Sequence, residues 1–156
     1  MSLVLRDATP EDAGLIAGFV RALAEYEKLA HEAVATHADF AEGLAAGRFA
    51  ALIVERAAEP IGFALWFTTF STFTGKAGMY LEDLFVLPAH RGAGVGRAIL
   101  QDLARRALAG GYARLEWSVL DWNTPAVKFY RAIGARPMDE WTVQRMDRAA
   151  LAALAA

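Results

Sequence analysis

A glycine-rich segment, His90-Arg91-Gly92-Ala93-Gly94-Val95-Gly96-Arg97, is the strongest local signal for chemistry in the sequence. It lies between a predicted strand and a predicted helix. Glycines allow the backbone to turn tightly and to approach a ligand closely. The N–H groups at a helix start bind phosphate, helped by the helix dipole, and Arg91 and Arg97 could add positive charge. The segment indicates a phosphate-binding loop, with a glycine turn that holds no ligand as the alternative.

Two familiar phosphate loops do not fit this segment. A Walker loop ends in Gly-Lys-Ser/Thr, whereas Gly96 is followed by Arg97 and Ala98. A Rossmann fingerprint needs its third glycine three residues after the second, where this chain has Arg97. It also needs an acidic residue about 20 residues further on at the end of a strand, and none is predicted at a strand end there. The segment therefore matches neither motif, and a phosphate-binding loop of another kind and a glycine turn that holds no ligand both stay open.

A carboxylate inside an apolar strand is the second feature. Regular alternation places Tyr80, Glu82, Leu84 and Val86 on one side of the strand and Asp83 on the other. A carboxylate among apolar neighbours is costly unless it has a partner. Glu82 is therefore a candidate for proton transfer. The alternative is that its carboxylate has no chemical role and only reaches solvent or pairs with an arginine. Asp83 is expected to be structural or secondary.

Composition narrows the class of protein. The chain has 156 residues, of which 56% are apolar and 22% are charged, so one globular domain over residues 1–156 is expected and disorder is excluded as the main state. The absence of cysteine excludes disulfides, zinc–thiolate sites and a cysteine nucleophile. The net charge of −2 disfavours nucleic acid. Three scattered histidines predict no metal site, and no run is long enough to span a bilayer.

The hydrophobic pattern indicates the elements that position these residues. Strands are predicted at Leu3–Arg6, Ala51–Glu55, Ile61–Phe70, Met79–Leu87, Ala113–Leu120 and Thr142–Met146. Helices are predicted from Thr9-Pro10, from Thr36 to near Gly47, over Arg97–Ala109 and from Thr124 to Gly134, with Ala149–Ala156 as a helical or frayed tail. Short connections favour antiparallel hairpins, and the strand–helix–strand order predicts one parallel crossover. The expected fold class is α/β, with a central mixed sheet flanked by helices.

Several segments together resemble the GNAT N-acetyltransferases. Arg91-x-x-Gly94-x-Gly96 is similar to the acetyl-CoA loop of that family. The spermidine/spermine (diamine) branch, which includes enzymes acting on thialysine, is the closer resemblance. Its matching segments are Tyr80-Leu81-Glu82-Asp83-Leu84-Phe85-Val86, Trp122-Asn123-Thr124-Pro125, Phe129-Tyr130 and Tyr26-Glu27. These segments run through most of the chain in order, and the resemblance implies the GNAT fold.

The resemblance also implies a role for each segment. Acetyl-CoA would contact Leu84, Phe85, Val86, Arg91, Gly92, Ala93, Gly94, Val95, Gly96, Arg97, Asn123, Thr124, Pro125 and Ala126. Glu82 would draw a proton from the amine through water, and Tyr130 would act as the general acid, with a core tyrosine as the alternative. The substrate contacts would be Tyr26, Glu27, Glu82, Glu116, Trp117, Ser118 and Asp139. Tyr26 and Glu27 could equally be ordinary helix surface.

The function implied by the resemblance is direct acetyl transfer, in a ternary complex, to a primary amine of a small diamine, polyamine or lysine-like amino acid. A protein or peptide N-acetyltransferase and a non-catalytic acetyl-CoA-binding regulator are the alternatives. One departure concerns Ser71-Thr72-Phe73-Thr74, where Thr72 replaces an acid of the polyamine enzymes and favours a shorter acceptor. The resemblance also implies a homodimer. The N-terminal sequence gives no signal peptide, so the expected compartment is the cytoplasm.

Overall fold

The computed structural model describes residues 2–156 and contains a five-stranded mixed sheet. The strands are β1 (Leu3–Asp7), β2 (Ala50–Arg56), β3 (Glu59–Ser71), β4 (Lys76–Val86) and β5 (Leu115–Glu116), in the spatial order β1-β2-β3-β4-β5. β1 to β4 pair antiparallel, and β5 joins β4 in parallel. The predicted hairpins and the predicted parallel crossover are confirmed.

The α-helices in the described part of the chain are α1 (Ala13–Tyr26), α2 (His37–Ala45), α3 (Val95–Ala109), α4 (Thr124–Ala132) and α5 (Arg148–Ala155). Their boundaries follow local signals. Thr36 and Asp39 form a capping box at the start of α2, in which Asp39 N donates to Thr36 Oγ1 at 3.3 Å. Gly134, at a φ of +100°, follows the end of α4. α3 begins at Val95, two residues before the predicted start, because Gly94 takes the N-cap position.

The chain divides into two compact units, one that ends at Ser118 and one over Val119–Ala156. In the first unit, α1 and α2 cover one face of the sheet around Ile16, Phe19, Ala51, Ile53, Phe63, Leu65 and Phe85. The rings of Phe19 and Phe63 stack there with centroids 5.4 Å apart. α3 covers the other face, where the Arg106 guanidinium lies 5.2 Å from the Trp66 ring centroid. The second unit contains α4 and α5. The single domain over residues 1–156 stays a prediction.

Two predicted strands differ from the structure. Thr142–Met146 forms no regular secondary structure, and its side chains are exposed. The strand predicted at Ala113–Leu120 is reduced to Leu115–Glu116. Alternating side chains favour extended backbone, but a strand also needs a neighbouring edge for its N–H and C=O groups. The sequence pattern alone does not supply that edge.

Two structural features of residues 2–156 bear on the class of site. None of their helices is long and apolar enough to cross a bilayer. None of their His, Asp and Glu side chains form a group of three or more that could hold a metal ion.

Candidate active site

A β-bulge at Glu82 decides which side chains of β4 share a face of the sheet. Leu65 of β3 pairs with Asp83 and Trp66 pairs with Leu81, so Glu82 is an extra residue without a partner in the register. Paired residues point to the same side of a sheet. Asp83 therefore lies on the face of Leu65, which is the face covered by α1.

The bulge corrects the predicted alternation along β4. Tyr80 pairs with Phe67, which shares the face of Leu65, so Tyr80 lies on the same side as Asp83. Leu84 and Val86 lie on the opposite side, which is also the side of Leu81. The expectation that Tyr80 shares a face with Leu84 and Val86, opposite Asp83, is wrong. An inserted residue shifts every later side chain to the other face, which strict period-two reasoning misses.

Three carboxylates meet around this bulge. Glu27 occupies the C-cap position of α1, and Glu82 and Asp83 are consecutive residues of β4. Burial, together with the neighbouring carboxylates of Glu82 and Glu27, raises the pKa of Asp83 to about 7. Burial also raises the pKa of Glu27. The site therefore concentrates negative charge in a partly desolvated place, where a cation would relieve the repulsion.

Asp83 belongs to this group, although sequence reasoning assigned it a secondary place. The signal that could have found it was the pair of adjacent acids in an apolar strand. Regular alternation sends one of two adjacent side chains to each face, whereas Asp83 at the bulge has both Glu82 and Glu27 as carboxylate neighbours.

Arg91 connects the glycine-rich loop to the end of α1. Its Nε donates to Val86 O at 2.8 Å. Its guanidinium carbon lies 4.7 Å from the ring centroid of Tyr26 and 5.1 Å from that of Phe85, which are cation–π distances. Arg91 therefore positions Tyr26 beside the acidic group at Glu27. Its guanidinium is directed toward β4 and α1.

The glycine-rich loop has the geometry of an anion-binding helix start. Gly92 and Gly94 have φ values of +78° and +80°, in the left-handed region that favours glycine. A Cβ atom built on either residue meets nothing within 4 Å, so the space beside the loop is open. The first hydrogen bond of α3 runs from Ala98 N to Gly94 O at 3.0 Å, so the amides of residues 95–97 precede the helical ladder. These features fit a diphosphate group, such as that of CoA.

The sheet separates beyond Tyr80. β5 pairs with β4 at Met79 and Tyr80, whereas β4 continues to Val86. The segment that includes Leu84, Phe85 and Val86 therefore has no β5 partner in the described structure.

Two of the expected substrate residues flank Tyr80. Glu116 is its partner in the parallel register, and the Tyr80 hydroxyl lies 2.8 Å from Ser118 Oγ. Trp117, between them in sequence, is half-buried. The first unit thus brings Glu116 and Ser118 to the strand that carries the acidic group.

The remaining predicted residues lie in the second unit. Asn123 caps α4, with its Oδ1 accepting from Ala126 N at 3.4 Å, and Thr124 and Pro125 begin the helix. Tyr130 is half-buried on α4, and its ring centroid lies 5.6 Å from that of Phe129. Asp139 is exposed in a segment without regular structure. The roles of these residues stay predictions.

Comparisons with known proteins agree with these features. The family model described as "Acetyltransferase (GNAT) family" matches residues 19–135. A thialysine N-epsilon-acetyltransferase of Sus scrofa is 36% identical over 167 residues, covering 99% of this chain and 98% of the relative. An L-ornithine N5-acetyltransferase of Arabidopsis thaliana is 39% identical over 93 residues, covering 60% of this chain and 41% of the relative.

Solved structures show the same fold. An integron cassette protein from the mobile metagenome of V. cholerae superposes with a TM-score of 0.80 at 26% identity, covering 99% of this chain and 98% of that one. An aminoglycoside N-acetyltransferase in complex with CoA has a TM-score of 0.77 at 23% identity, covering 94% and 95%. The chain belongs to the GNAT acetyltransferase family and is an enzyme that transfers the acetyl group of acetyl-CoA.

Proposed function

We propose that the acetyl acceptor is the side-chain amine of a lysine- or ornithine-like amino acid or of a small diamine. The observation that carries this proposal is the group of three carboxylates formed by Glu27, Glu82 and Asp83. An ammonium group placed there lowers the cost of ionising Asp83, because opposite charges favour each other's charged form. The relatives named for thialysine and ornithine acetylation support the same class of acceptor.

Glu82 is the proposed general base. An alkylammonium has a pKa near ~10.4, so it must lose a proton before its nitrogen can attack a carbonyl carbon. Glu82 is exposed, unlike the half-buried Asp83, so it can pass a proton to solvent. Asp83 and Glu27 then hold the ammonium, and Glu82 accepts its proton directly or through one water molecule.

The acetyl donor supplies a thioester, whose carbonyl carbon is the electrophile. The amides of residues 92–97 are proposed to hold its diphosphate, and the separated edge at Leu84, Phe85 and Val86 its pantetheine arm. Asn123, Thr124, Pro125 and Ala126 of the second unit are proposed as further contacts of acetyl-CoA. Tyr130 is the proposed acid for the leaving thiolate, with direct attack in a ternary complex.

The acceptor class is tested by a panel of amines, with release of free CoA as the measured product. The panel contains lysine, ornithine, thialysine, putrescine, spermidine and a basic peptide. We expect turnover with the small lysine-like amines and diamines. A preference for the basic peptide over all small amines would contradict the proposal and favour a protein N-acetyltransferase.

The base is tested by Glu82→Gln, with Glu59→Gln in the exposed β2–β3 hairpin as the matched control. Loss of a positioned base typically costs ~10²–10⁴-fold in rate. The loss should be greatest at low pH, because high pH deprotonates the amine without help. A pH–rate profile of Glu82→Gln parallel to that of the control would show that another group is the base.

The acid is tested by Tyr130→Phe, with Tyr112→Phe as a control for the loss of a hydroxyl elsewhere. Turnover should fall toward the lower end of the ~10²–10⁴-fold range, since a thiolate with a pKa near ~8.5 can leave unprotonated at moderate cost. Acetyl-CoA binding should be kept. Wild-type turnover in Tyr130→Phe would show that this tyrosine only packs.

A homodimer and a cytoplasmic location are also proposed. The hairpin between β3 and β4 presents Phe70 and Phe73 at 67% and 96% exposure, and exposed large apolar side chains of this kind are typical of interfaces. Sedimentation that shows only a 16.9 kDa species at micromolar concentration would contradict the dimer. Cell fractionation of the natural host tests the location.

A further inference from the structure

Arg91 belongs to one site by its backbone and to another by its side chain. Its backbone directly precedes Gly92, which has a φ of +78° in the glycine-rich loop. Its guanidinium carbon lies 4.7 Å from the ring centroid of Tyr26 on α1 and 5.1 Å from that of Phe85 on β4. Both are cation–π distances. A residue of the proposed donor loop therefore contacts the elements that carry the acidic group.

The Arg91 side chain has a fixed direction. Its Nε donates to Val86 O at 2.8 Å, which restricts the rotamers of a long side chain. Phe85 is 5% exposed and lies in the core, so it gives the guanidinium a rigid support. Tyr26 is 42% exposed, so its ring is less constrained by packing than that of Phe85. Arg91 therefore holds Tyr26 close to a fixed part of the sheet.

The end of α1 carries backbone strain that such a contact can offset. Tyr26 is the last residue of the helix, and Leu29 N donates back to Ala24 O at 2.8 Å. This is the hydrogen bond of a Schellman motif, which places Lys28 in the left-handed region at a φ of +62°. A lysine there is strained, because its Cβ is crowded in a conformation that favours glycine. The helix end therefore depends on contacts made by its neighbours, among them the contact between Tyr26 and Arg91.

The acidic group takes one of its members from this helix end. Glu27 directly follows Tyr26 at the C-cap position. Its carboxylate contributes to the raised pKa of Asp83, so the two groups are close enough to repel each other. A shift of the last turn of α1 would move Glu27 relative to β4. Arg91 thus connects to the acidic group in two steps, through Tyr26 and then Glu27.

We propose that Arg91 is a positioning residue that couples binding of the acetyl donor to binding of the amine. This inference rests on the proposed function and adds a link between its two sites. A donor diphosphate held by the amides of residues 92–97 fixes the loop, which keeps Arg91 over Tyr26 and Glu27 in the acidic group. By linkage, each ligand then tightens the binding of the other by the same factor. The expected factor is about 3–10-fold, within the range of a cation–π contact.

Isothermal titration calorimetry measures this coupling without turnover, because CoA itself has no acetyl group to transfer. The dissociation constant of ornithine, and in parallel that of putrescine, is measured with no CoA and with saturating CoA. In wild-type enzyme, CoA should lower the dissociation constant of the amine about 3–10-fold. In Arg91→Gln, the ratio of the two constants should fall to about 1. Arg91→Lys keeps a cation near the rings and should restore part of the ratio.

Arg97→Gln is the matched control, because it removes the same charge from the same loop. Arg97 is exposed at the start of α3. This variant should weaken CoA binding and keep the wild-type coupling ratio. Tyr26→Leu should abolish the ratio, Tyr26→Phe should keep it, and adding Arg91→Gln to Tyr26→Leu should cause no further loss.

Three results would overturn the coupling and leave the proposed function standing. They are a wild-type ratio of about 1, an unchanged ratio in Arg91→Gln that is folded by circular dichroism, and an equal loss in Arg97→Gln. The third result would show a general effect of charge in the loop. Wild-type enzyme that neither binds nor acetylates any amine of the panel would overturn the proposed function itself, and the coupling with it.

Discussion

Replacing Asp83 by asparagine should stabilise the protein by an amount that grows as the pH rises. In the folded chain, burial and the carboxylates of Glu82 and Glu27 raise the pKa of Asp83 from 3.8 to about 7. A raised pKa means that the folded state binds the proton more tightly than the unfolded state. The bound proton makes its full contribution to the free energy of unfolding below pH ~4, and this contribution is lost as the pH rises through about 7.

The magnitude follows from the two pKa values. Each pKa unit corresponds to ~1.4 kcal/mol, and integrating the difference in bound protons between pH 5 and pH 8 gives roughly 2–3 kcal/mol. Wild-type protein should therefore lose this much stability, relative to Asp83→Asn, across that interval. For a chain of this length, the corresponding change in melting temperature is about 5–10 °C.

Urea denaturation at pH 5 and pH 8 measures the effect. The quantity compared is the difference in unfolding free energy between Asp83→Asn and wild type, because other groups titrate in both proteins. Any fixed cost of burying the asparagine amide also cancels between the two pH values. Asp12→Asn is the control, since hydrogen bonds from Arg6 lower the pKa of Asp12 and its effect should be constant from pH 5 to pH 8. A pH-independent difference for Asp83→Asn, within ~0.5 kcal/mol, would refute the argument from burial and repulsion.

Three further substitutions test the backbone around the site. Gly94→Val should raise KM for acetyl-CoA about 10-fold more than KM for the amine. Gly94 has a φ of +80°, and a branched side chain there would occupy the open space beside the loop. Equal increases of both KM values in steady-state kinetics would contradict this. Gly62→Ala should lower the unfolding free energy by about 2–3 kcal/mol, since its Cβ would lie 2.6 Å from Phe85 O, and an unchanged urea midpoint would contradict it. Ala58→Gly should raise the unfolding free energy by about 0.5–1 kcal/mol, because Ala58 has a φ of +63° in the β2–β3 turn, and a lower urea midpoint would count against that explanation.

Local signals in the sequence predicted much of the first unit. β3 contains the continuous apolar run Ile61–Phe67, which is typical of a central strand, and the structure buries residues 61–66 of it. Thr36 with Asp39 marked the start of α2, and the glycines at positions 92 and 94 marked the turn before α3. Each signal depends on residues within one turn or one strand, so a single sequence carries it.

Features that depend on a partner in space were missed. The extent of β5 depends on how far β4 offers a free edge, and alternation within Ala113–Leu120 does not measure that. The bulge at Glu82 likewise exists only in the pairing of β4 with β3.

That bulge lets β4 take part in both the proposed donor site and the proposed acceptor site. After the extra residue, Asp83 faces α1 and the acidic group, while Leu84 and Val86 face α3, and the same stretch leaves its edge without a β5 partner. Arg91, in the glycine-rich loop, donates a hydrogen bond to Val86 O and places its guanidinium over the Tyr26 ring. One side chain therefore connects this loop with the end of β4 and the end of α1. Because its guanidinium is held in this way, we expect the loop amides to contribute more than Arg91 to the proposed binding of the donor's phosphates. The acidic group and the glycine-rich loop are thus fixed relative to each other through β4 itself.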